Sequence, residues 1–258
     1  MTETQPFPES RTAVITGAGS PRGIGRVTAQ RLASEGWSIA VIDLDADQSR
    51  GVADSISAEY GVQAIGIGAS VADERQVAKA FDEIETSMPQ VVGLVNIAGV
   101  SSPTPFLELT VDEWDRVFAV NMRGAYLVTR RAAESMVANS IGRIVSISSI
   151  SAQRGGGTFS KVPYSASKAG IVGFSRAVAR ELSPLGVTVN SVSPGPVDTD
   201  IMGGTLTEDR KQDLSRDVLV GRVGKPEEIA SLIAYLMREE AGYITGANYD
   251  INGGLHFS

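Results

Sequence analysis

The chain of 258 residues is 42% hydrophobic and 21% charged, which is typical of a soluble globular protein with one buried core. It contains no cysteine and one histidine, His256, so disulfides, thiolate chemistry and a metal site built from several histidines are excluded. The net charge of −7 disfavours nonspecific binding to nucleic acid or to an anionic membrane, and we expect a cytoplasmic protein without a metal.

The N-terminal sequence MTETQPFPES has neither the basic region nor the apolar region of a secretion signal. We predict a short flexible tail over 1–10. Residues 11–258 contain no internal repeat and no low-complexity linker, and no apolar run approaches the roughly 20 residues that span a bilayer. The sequence therefore predicts a single domain over 11–258.

The first structured unit combines a strand, a glycine loop and a helix. The β-branched run RTAVIT leads into GAGSPRGIG and then into the helical pattern RVTAQRLASEG. This order is the context that a dinucleotide-binding loop requires. Gly17 would allow the tight turn, Gly23 would let the backbone approach a pyrophosphate, and Gly25 would allow close packing of the helix on the strand.

The second strand, WSIAVID, ends at Asp43, which lies 18 residues beyond Gly25. An acid at this position is placed to accept hydrogen bonds from the ribose hydroxyls of an adenosine. Alternatively, Asp43 is one of three loop acids, with Asp45 the better helix cap. Its place directly at the strand end favours the ribose role.

The remaining chain alternates apolar strands with helical stretches of 10 to 20 residues, which predicts an α/β fold with a doubly wound, mainly parallel sheet. Thr110 and Glu113 form a capping box that opens a long helix to about Val137. Asn121 lies in the middle of this helix among apolar neighbours. It is either a satisfied buried polar residue or a residue that holds water near a site.

A loop of small residues, from Ser149 onward, leads into a helix that carries Tyr164 and Lys168. Residues four apart lie on one helix face, and an ammonium ~5 Å from a phenol favours the phenolate by about 3 kcal/mol. Tyr164 would then act as a general base, and Ser149 would hydrogen-bond a carbonyl or alkoxide oxygen. Tyr-x-x-x-Lys also occurs by chance, as an ordinary first turn with a solvated lysine. The glycine loop and Asp43 favour the catalytic interpretation.

Taken together, these motifs resemble the short-chain dehydrogenase/reductase family from Thr16 to Gly254. The motifs that match are TG…GIG, Asp43, NxAG, Asn121, Ser149, YxxxK, PGxxxT and RxGxPEEIA. The resemblance implies a Rossmann-type domain with a seven-stranded sheet, helices on both faces, a homotetrameric assembly and NAD as cofactor.

The resemblance also implies residue roles. Tyr164 is the acid/base, Lys168 lowers its pKa and holds the nicotinamide ribose, Ser149 orients the substrate oxygen, and Asn121 positions a relay water. The residues expected at the cofactor are Gly17, Ser20, Arg22, Gly23, Ile24, Asp43, Val71, Asn96, Ala98, Gly99, Tyr164, Lys168, Pro194, Gly195, Val197 and Thr199.

The chain departs from the family pattern at four places. The loop from Gly17 to Gly23 is two residues longer than usual, so the family contacts do not transfer to Ser20, Pro21 and Arg22. The usual Asp-Val-x-Asp is replaced by SVAD, and the second asparagine of NNAG is replaced by an isoleucine. Ser149 and Tyr164 are fifteen positions apart where thirteen is common, which reshapes the substrate loop.

Arg22 and Asp43 predict opposite cofactors. Arg22 resembles the basic residue of NADP-preferring relatives, whereas Asp43 would repel a 2′-phosphate by roughly 2–4 kcal/mol at ~5 Å. An exposed arginine paired with that phosphate gains only about 0–1 kcal/mol. We therefore expect NAD.

The polar, glycine-flanked residues 200–222 are predicted to form a substrate lid, hinged near Gly203, Gly204 and Gly221. Substrate contacts are expected from Ser149, Gln153, Arg154, Phe159 and Met202.

The main functional hypothesis is an oxidoreductase that transfers a hydride between NAD and a secondary alcohol or ketone, such as a polyol, sugar or cyclic alcohol. One alternative is a reductase of 3-oxoacyl thioesters, including those of acyl carrier protein. A second alternative is a regulator that senses dinucleotides without turnover. The regulator hypothesis predicts a damaged catalytic set, and the set in this sequence is intact.

Overall fold

Within the residues that the structure describes, which are 6–157, 159–202 and 204–258, seven strands form one sheet. The structure is a computed structural model, and every neighbouring pair of strands is parallel. The order is β3-β2-β1-β4-β5-β6-β7. The strands are β1 Thr12–Thr16, β2 Ser38–Asp43, β3 Ala64–Gly68, β4 Val91–Asn96, β5 Gly142–Ile147, β6 Val187–Pro194 and β7 Asn248–Ile251.

Helices connect the strands and cover both faces of the sheet. Their bounds are α1 Ile24–Ser34, α2 Ala46–Tyr60, α3 Glu74–Ser87, α4 Val111–Phe118, α5 Gly124–Ala138, α6 Ser151–Arg154, α7 Val162–Leu182, α8 Glu208–Ser215 and α9 Pro226–Leu236. None of the helices in the described part of the chain has both the length and the apolar character that a membrane span requires.

Two apolar layers hold the helices to the sheet. One layer includes Leu32, Trp37 and Ile233, and it joins α1, α2 and α9 to one face. The other includes Phe81 and Met136, and it joins α3, α5 and α7 to the opposite face. Strands β1, β4, β5 and β6 are buried along their whole length. The predicted single-domain, doubly wound α/β fold is confirmed, with the sheet parallel throughout.

The strand order reverses between β1 and β4, because the chain returns to the centre of the sheet after β3. At such a switch point the two adjacent connections leave toward opposite faces, and a crevice opens at the carboxyl ends of the strands. The glycine loop after β1 and the loop after β4 border this crevice.

Side-chain caps begin several helices. Asp45 accepts hydrogen bonds from the first turn of α2, as expected, and Asp73 does the same for α3. Thr110 Oγ1 accepts from the backbone N–H of Glu113 at 3.2 Å. The predicted capping box is incomplete, because the Glu113 carboxylate accepts instead from the hydroxyls of Ser102 (2.7 Å) and Thr104 (2.9 Å).

Part of the predicted flexible tail packs on the domain. The ring of Phe7 meets Trp37 edge-on, with 5.9 Å between ring centroids, and the Arg143 guanidinium lies 4.8 Å from the Phe7 centroid. Residues 1–5 lie outside the described range. The flexible-tail expectation therefore does not hold at Phe7, because apolar and cation–π contacts attach it to the core.

Candidate active site

A cleft of about 910 Å³ opens at the carboxyl ends of the strands. All the predicted cofactor residues line it except Arg22 and Asn96. Among the predicted substrate residues, Ser149, Arg154 and Phe159 line the cleft. The volume is at the upper end of the range for small-molecule and cofactor sites.

The glycine loop has no room for a side chain at Gly17 or Gly25. Gly17 has a φ of +74°, and a Cβ there would lie 2.7 Å from the Ala98 backbone. A Cβ on Gly25 would lie 2.4 Å from the carbonyl oxygen of Gly17. Helix α1 has Gly23 at its N-cap, without a side-chain cap. Its first N–H groups are therefore available to a pyrophosphate.

Asp43 lies at the rim of the cleft, at the end of β2. One carboxylate oxygen accepts from the Gly19 N–H at 2.8 Å, and the other accepts from the Leu44 N–H at 2.7 Å. These two bonds fix the carboxylate against the glycine loop, while each oxygen keeps a free lone pair. The position matches the predicted ribose role, and helix capping is left to Asp45.

Arg22 does not line the cleft, contrary to its prediction as a cofactor residue. Its guanidinium lies 2.5 Å from the carboxylate of Asp198 and 3.6 Å from that of Asp200. It also donates to Thr205 Oγ1 at 2.8 Å. The carboxylates offer this cation charge-assisted hydrogen bonds, so the lengthened loop turns it toward the segment after β6.

Asn96 is the second correction. Its amide donates to Thr129 Oγ1 at 2.9 Å and to Ser146 Oγ at 3.2 Å, which ties β4 to α5 and β5 behind the cleft. Its Oδ1 finds no hydrogen-bond partner among the described residues and borders a cavity of about 10 Å³, which has room for one water. Asn96 therefore supports the floor of the cleft rather than lining it.

Tyr164 and Lys168 lie one turn apart near the start of α7 and are both buried. Lys168 Nζ donates to the Ile147 carbonyl at 2.8 Å and lies 5.7 Å from the centroid of the Tyr164 ring. The Ser149 hydroxyl accepts from the Ser151 N–H at 3.1 Å, and its interaction with the phenol acts to lower the pKa of Tyr164 against the larger effect of burial. The structure thus brings the predicted serine, tyrosine and lysine together.

The pKa shifts of Tyr164 and Lys168 differ from those that the sequence predicted. Burial raises the pKa of the Tyr164 phenol, and the hydrogen bond from Ser149 offsets this only in part. Burial also lowers the pKa of Lys168 to about 8. The predicted lowering of the Tyr164 pKa by Lys168 is therefore not observed, because desolvation dominates in the buried pair. At pH 7 Tyr164 is a neutral phenol, ready to donate its proton, and the lysine is mostly charged.

Asn121 lies in a π-helical turn, Ala119–Arg123, which interrupts the predicted continuous helix between α4 and α5. Its Oδ1 accepts from the Val100 N–H at 2.9 Å. Its Nδ2 donates to the Val100 carbonyl at 3.1 Å and to Ser167 Oγ at 3.0 Å. Of the two predicted roles, the side chain therefore has that of a satisfied buried residue, which joins the loop after β4 to α7.

Gln153, a predicted substrate residue, turns away from the cleft. The Gln153 amide donates to the Asp250 carboxylate on β7 at 2.8 Å and does not line the cleft. Its prediction was wrong, because the carboxylate of a distant strand draws the amide away. The side chain of Met202 lies outside the described part of the chain.

The predicted lid borders the substrate end of the cleft. It contains a short 3₁₀ turn, Asp200–Met202, and helix α8. Gly204 and Gly221 have φ of +112° and +72°, in the left-handed region, whereas Gly203 lies outside the described residues. Five residues of this segment line the cleft, namely Asp200, Ile201, Asp213, Leu214 and Asp217.

None of these five residues was predicted at the site, and neither was Leu255. Asp217 lies four positions after Asp213 and three after Leu214, a helical spacing that could have indicated a shared face. No sequence signal pointed to Leu255. In the described parts of the chain, no group of three or more His, Cys, Asp or Glu side chains is arranged to hold a metal ion.

Comparisons with known proteins agree with this geometry. The sequence profile of a family described as "Enoyl-(Acyl carrier protein) reductase" matches residues 17–256. A short-chain type dehydrogenase/reductase of Sinorhizobium fredii is 38% identical over 248 residues, covering 96% of this chain and 98% of that protein. The 3-oxoacyl-[acyl-carrier-protein] reductase FabG of Aquifex aeolicus is also 38% identical, covering 96% and 98%. A crystal structure of a short-chain type dehydrogenase/reductase from Mycobacterium marinum matches with a TM-score of 0.89 at 31% identity, covering 96% of each chain.

Proposed function

The chain belongs to the short-chain dehydrogenase/reductase family of oxidoreductases, and from that premise we propose that it reduces the ketone of a 3-oxoacyl thioester with NADH. The observation that carries the reaction type is the buried contact among Ser149, Tyr164 and Lys168 at the floor of the cleft. The substrate class is supported by similarity to a 3-oxoacyl thioester reductase over nearly the whole chain.

Tyr164, Ser149 and Lys168 each have a separate role in the reduction of the ketone. Tyr164 donates its proton to the oxygen as negative charge develops there, which its raised pKa permits at neutral pH. Ser149 orients the same oxygen by a hydrogen bond. The ammonium of Lys168 stabilises the phenolate that Tyr164 becomes. NADH, when bound, supplies the hydride.

We propose NAD(H) rather than NADP(H) because of Asp43. Its carboxylate is fixed at the rim of the cleft by two backbone N–H groups, and it would face a 2′-phosphate with a repulsion of roughly 2–4 kcal/mol. The cation that would offset this repulsion, Arg22, is engaged by Asp198 and Thr205. These contacts support NAD.

The cofactor proposal is tested by the ratio of kcat/KM for the two cofactors. The wild-type ratio should favour NAD by at least about thirtyfold, which corresponds to the lower end of the repulsion. Asp43→Ser should narrow the gap mainly by improving NADP use. Equal use of NADP by the wild-type enzyme would mean that Asp43 does not face the ribose.

A polyol, sugar or cyclic alcohol remains the second candidate substrate, and the charges at the cleft mouth favour it. Asp213 and Asp217 line this end, and the carboxylate of Asp217 lies 3.9 Å from the Arg154 guanidinium. The phosphates of a carrier-bound or coenzyme A thioester would meet these acids, whereas a neutral alcohol would not. Like charges placed together oppose binding.

A direct comparison of substrates tests the proposal. Reduction of acetoacetyl-CoA and of cyclohexanone by NADH is measured beside NAD reduction by xylitol and by cyclohexanol, with Tyr164→Phe as the blank. The proposal expects kcat/KM to be highest for acetoacetyl-CoA, by at least tenfold over cyclohexanone. The reverse order would favour the second candidate. Binding of NAD without turnover of any substrate would favour the regulator hypothesis, which the assembled catalytic residues argue against.

We also propose the homotetramer that the family resemblance implies. Phe106 and Leu107, in the turn before α4, and Val111, the first residue of α4, are exposed apolar side chains that such an assembly could cover. A monomeric mass by light scattering would refute it.

A further inference from the structure

The lengthened glycine loop is joined to the base of the lid by a group of polar contacts. Arg22 bonds the carboxylate of Asp198 at 2.5 Å and the hydroxyl of Thr205 at 2.8 Å, and its Nε lies 3.6 Å from Asp200. Ser20 Oγ donates to the same Asp200 carboxylate at 3.1 Å. We call these five residues the clasp.

The clasp holds both ends of one short segment. Asp198 precedes the 3₁₀ turn Asp200–Met202, and Thr205 follows it. One guanidinium therefore bridges the two sides of a turn whose Ile201 lines the cleft. Loss of this cation would remove one contact from each side at once.

The contacts continue from the clasp into α8. Lys211 Nζ lies 3.1 Å from the second carboxylate oxygen of Asp198 and 2.9 Å from Glu208. Asp198 thus lies between the cation of the glycine loop and the cation of the lid helix. The backbone N–H of Asp198 also donates to the Gly224 carbonyl at 3.1 Å, which ties this acid to the loop before α9.

The same contacts occupy the Arg22 guanidinium, which would otherwise be available to bind a phosphate. Three nitrogens of the Arg22 guanidinium face Asp198, Asp200 and Thr205, and Arg22 is not among the residues that line the cleft. A 2′-phosphate on the adenosine would have to replace a carboxylate partner that is already within hydrogen-bond distance.

We propose that Arg22 is a positioning residue that holds the lid against the cofactor loop through Asp198 and Thr205, and that it does not bind a cofactor phosphate. The assignment of the moving segment as a substrate lid rests on the proposed function. The clasp itself is built from side chains of this chain alone, so its test does not depend on turnover.

The first test is hydrogen–deuterium exchange of the peptides that cover 199–215, in the protein without nucleotide. Arg22→Gln and Asp198→Asn should each speed exchange about threefold, the effect of losing a partly exposed ion pair. The effect stays modest because Leu206, within the same segment, is buried and holds the lid independently. Arg75→Gln, which removes an exposed cation on α3, is the matched control and should leave lid exchange unchanged.

The double variant Arg22→Gln with Asp198→Asn separates a clasp from general damage. If the two residues act through their shared contact, the double variant should exchange within about a factor of two of the faster single variant. Exchange that is unchanged in both single variants, or effects that multiply in the double variant, would overturn the proposal. Asp198→Asn removes the same contact through its other partner, so lid exchange can still be tested if Arg22→Gln folds poorly.

The second test measures calorimetric affinities for 5′-AMP and for adenosine 2′,5′-bisphosphate. If Arg22 holds the lid, Arg22→Gln should leave the ratio of the two affinities within about twofold of the wild-type ratio. A tenfold selective loss for the bisphosphate would show that Arg22 contacts the 2′-phosphate, and the proposal would fail. Neither nucleotide undergoes the reaction, so this outcome is independent of the substrate proposal.

Discussion

Removing the buried ammonium of Lys168 should change how the stability of the protein depends on pH. Burial lowers the pKa of this lysine from 10.5 to about 8. The unfolded chain therefore binds this proton more tightly than the folded protein does. The wild type gains stability as pH rises from about 8 to 10.5, and the full cost of the buried charge is present below pH 8.

The magnitude follows from the size of this shift. A pKa of 10.5 in the unfolded chain and about 8 in the folded protein imply a gain of about 2 kcal/mol between pH 7 and pH 9.5. Lys168→Met keeps the length and the apolar stem of the side chain but removes the titrating group. The Ile147 carbonyl loses its partner in this variant at every pH, so that loss does not alter the trend.

The assay is urea unfolding of the wild type and of Lys168→Met at several pH values between 7 and 9.5. The free energy of unfolding of the variant, relative to the wild type, should fall by about 2 kcal/mol across this range. Lys79→Met, which removes an exposed lysine on α3, reports any trend that does not come from burial. Parallel pH dependences of the wild type and Lys168→Met would refute the reasoning, because the ammonium would then not be desolvated.

The remaining predictions concern the hydroxyl of Tyr164 and two glycines. Tyr164→Phe should reduce turnover at least about 100-fold while the calorimetric affinity for NAD stays within threefold, since only the proton donor is lost; a tenth of the wild-type rate would contradict the assignment. Gly25→Ala should destabilise the protein by about 1–3 kcal/mol and weaken nucleotide binding, because its Cβ would lie 2.4 Å from the Gly17 carbonyl oxygen. The matched Gly51→Ala, in the middle of α2 where a Cβ meets no other atom, should instead stabilise the protein by about 0.5–1 kcal/mol in urea unfolding. Equal changes in the free energy of unfolding for the two variants would show that contacts of the added Cβ do not decide whether the substitution stabilises or destabilises.

Much of the fold and of the catalytic set could be predicted because these features depend on local patterns. Alternating strands and helices specify a doubly wound sheet, and the strand–glycine–helix order specifies where its crevice opens. Tyr164 and Lys168 could be paired because a helix brings residues four apart onto one face. Asp43 could be placed because it directly ends a strand.

Contacts between segments that lie far apart in the chain could not be predicted from the sequence. Arg22 meets Asp198 and Thr205 across 176 and 183 positions, and Gln153 meets Asp250 across 97. Arg22 was predicted at the cofactor and Gln153 at the substrate. Which way each side chain turns was decided by carboxylates and hydroxyls that only the folded sheet brings near.

The sequence by itself determined the chemistry of the site, namely a phenol, an ammonium and a hydroxyl grouped at the end of a dinucleotide crevice. The tertiary structure decided their protonation. Spacing along a helix fixes how near Lys168 is to Tyr164, whereas burial of both side chains depends on every element packed around them. Desolvation therefore raises the pKa of Tyr164 where the sequence predicted a decrease, because the cost of charging a buried phenol exceeds what the hydrogen bond from Ser149 offsets.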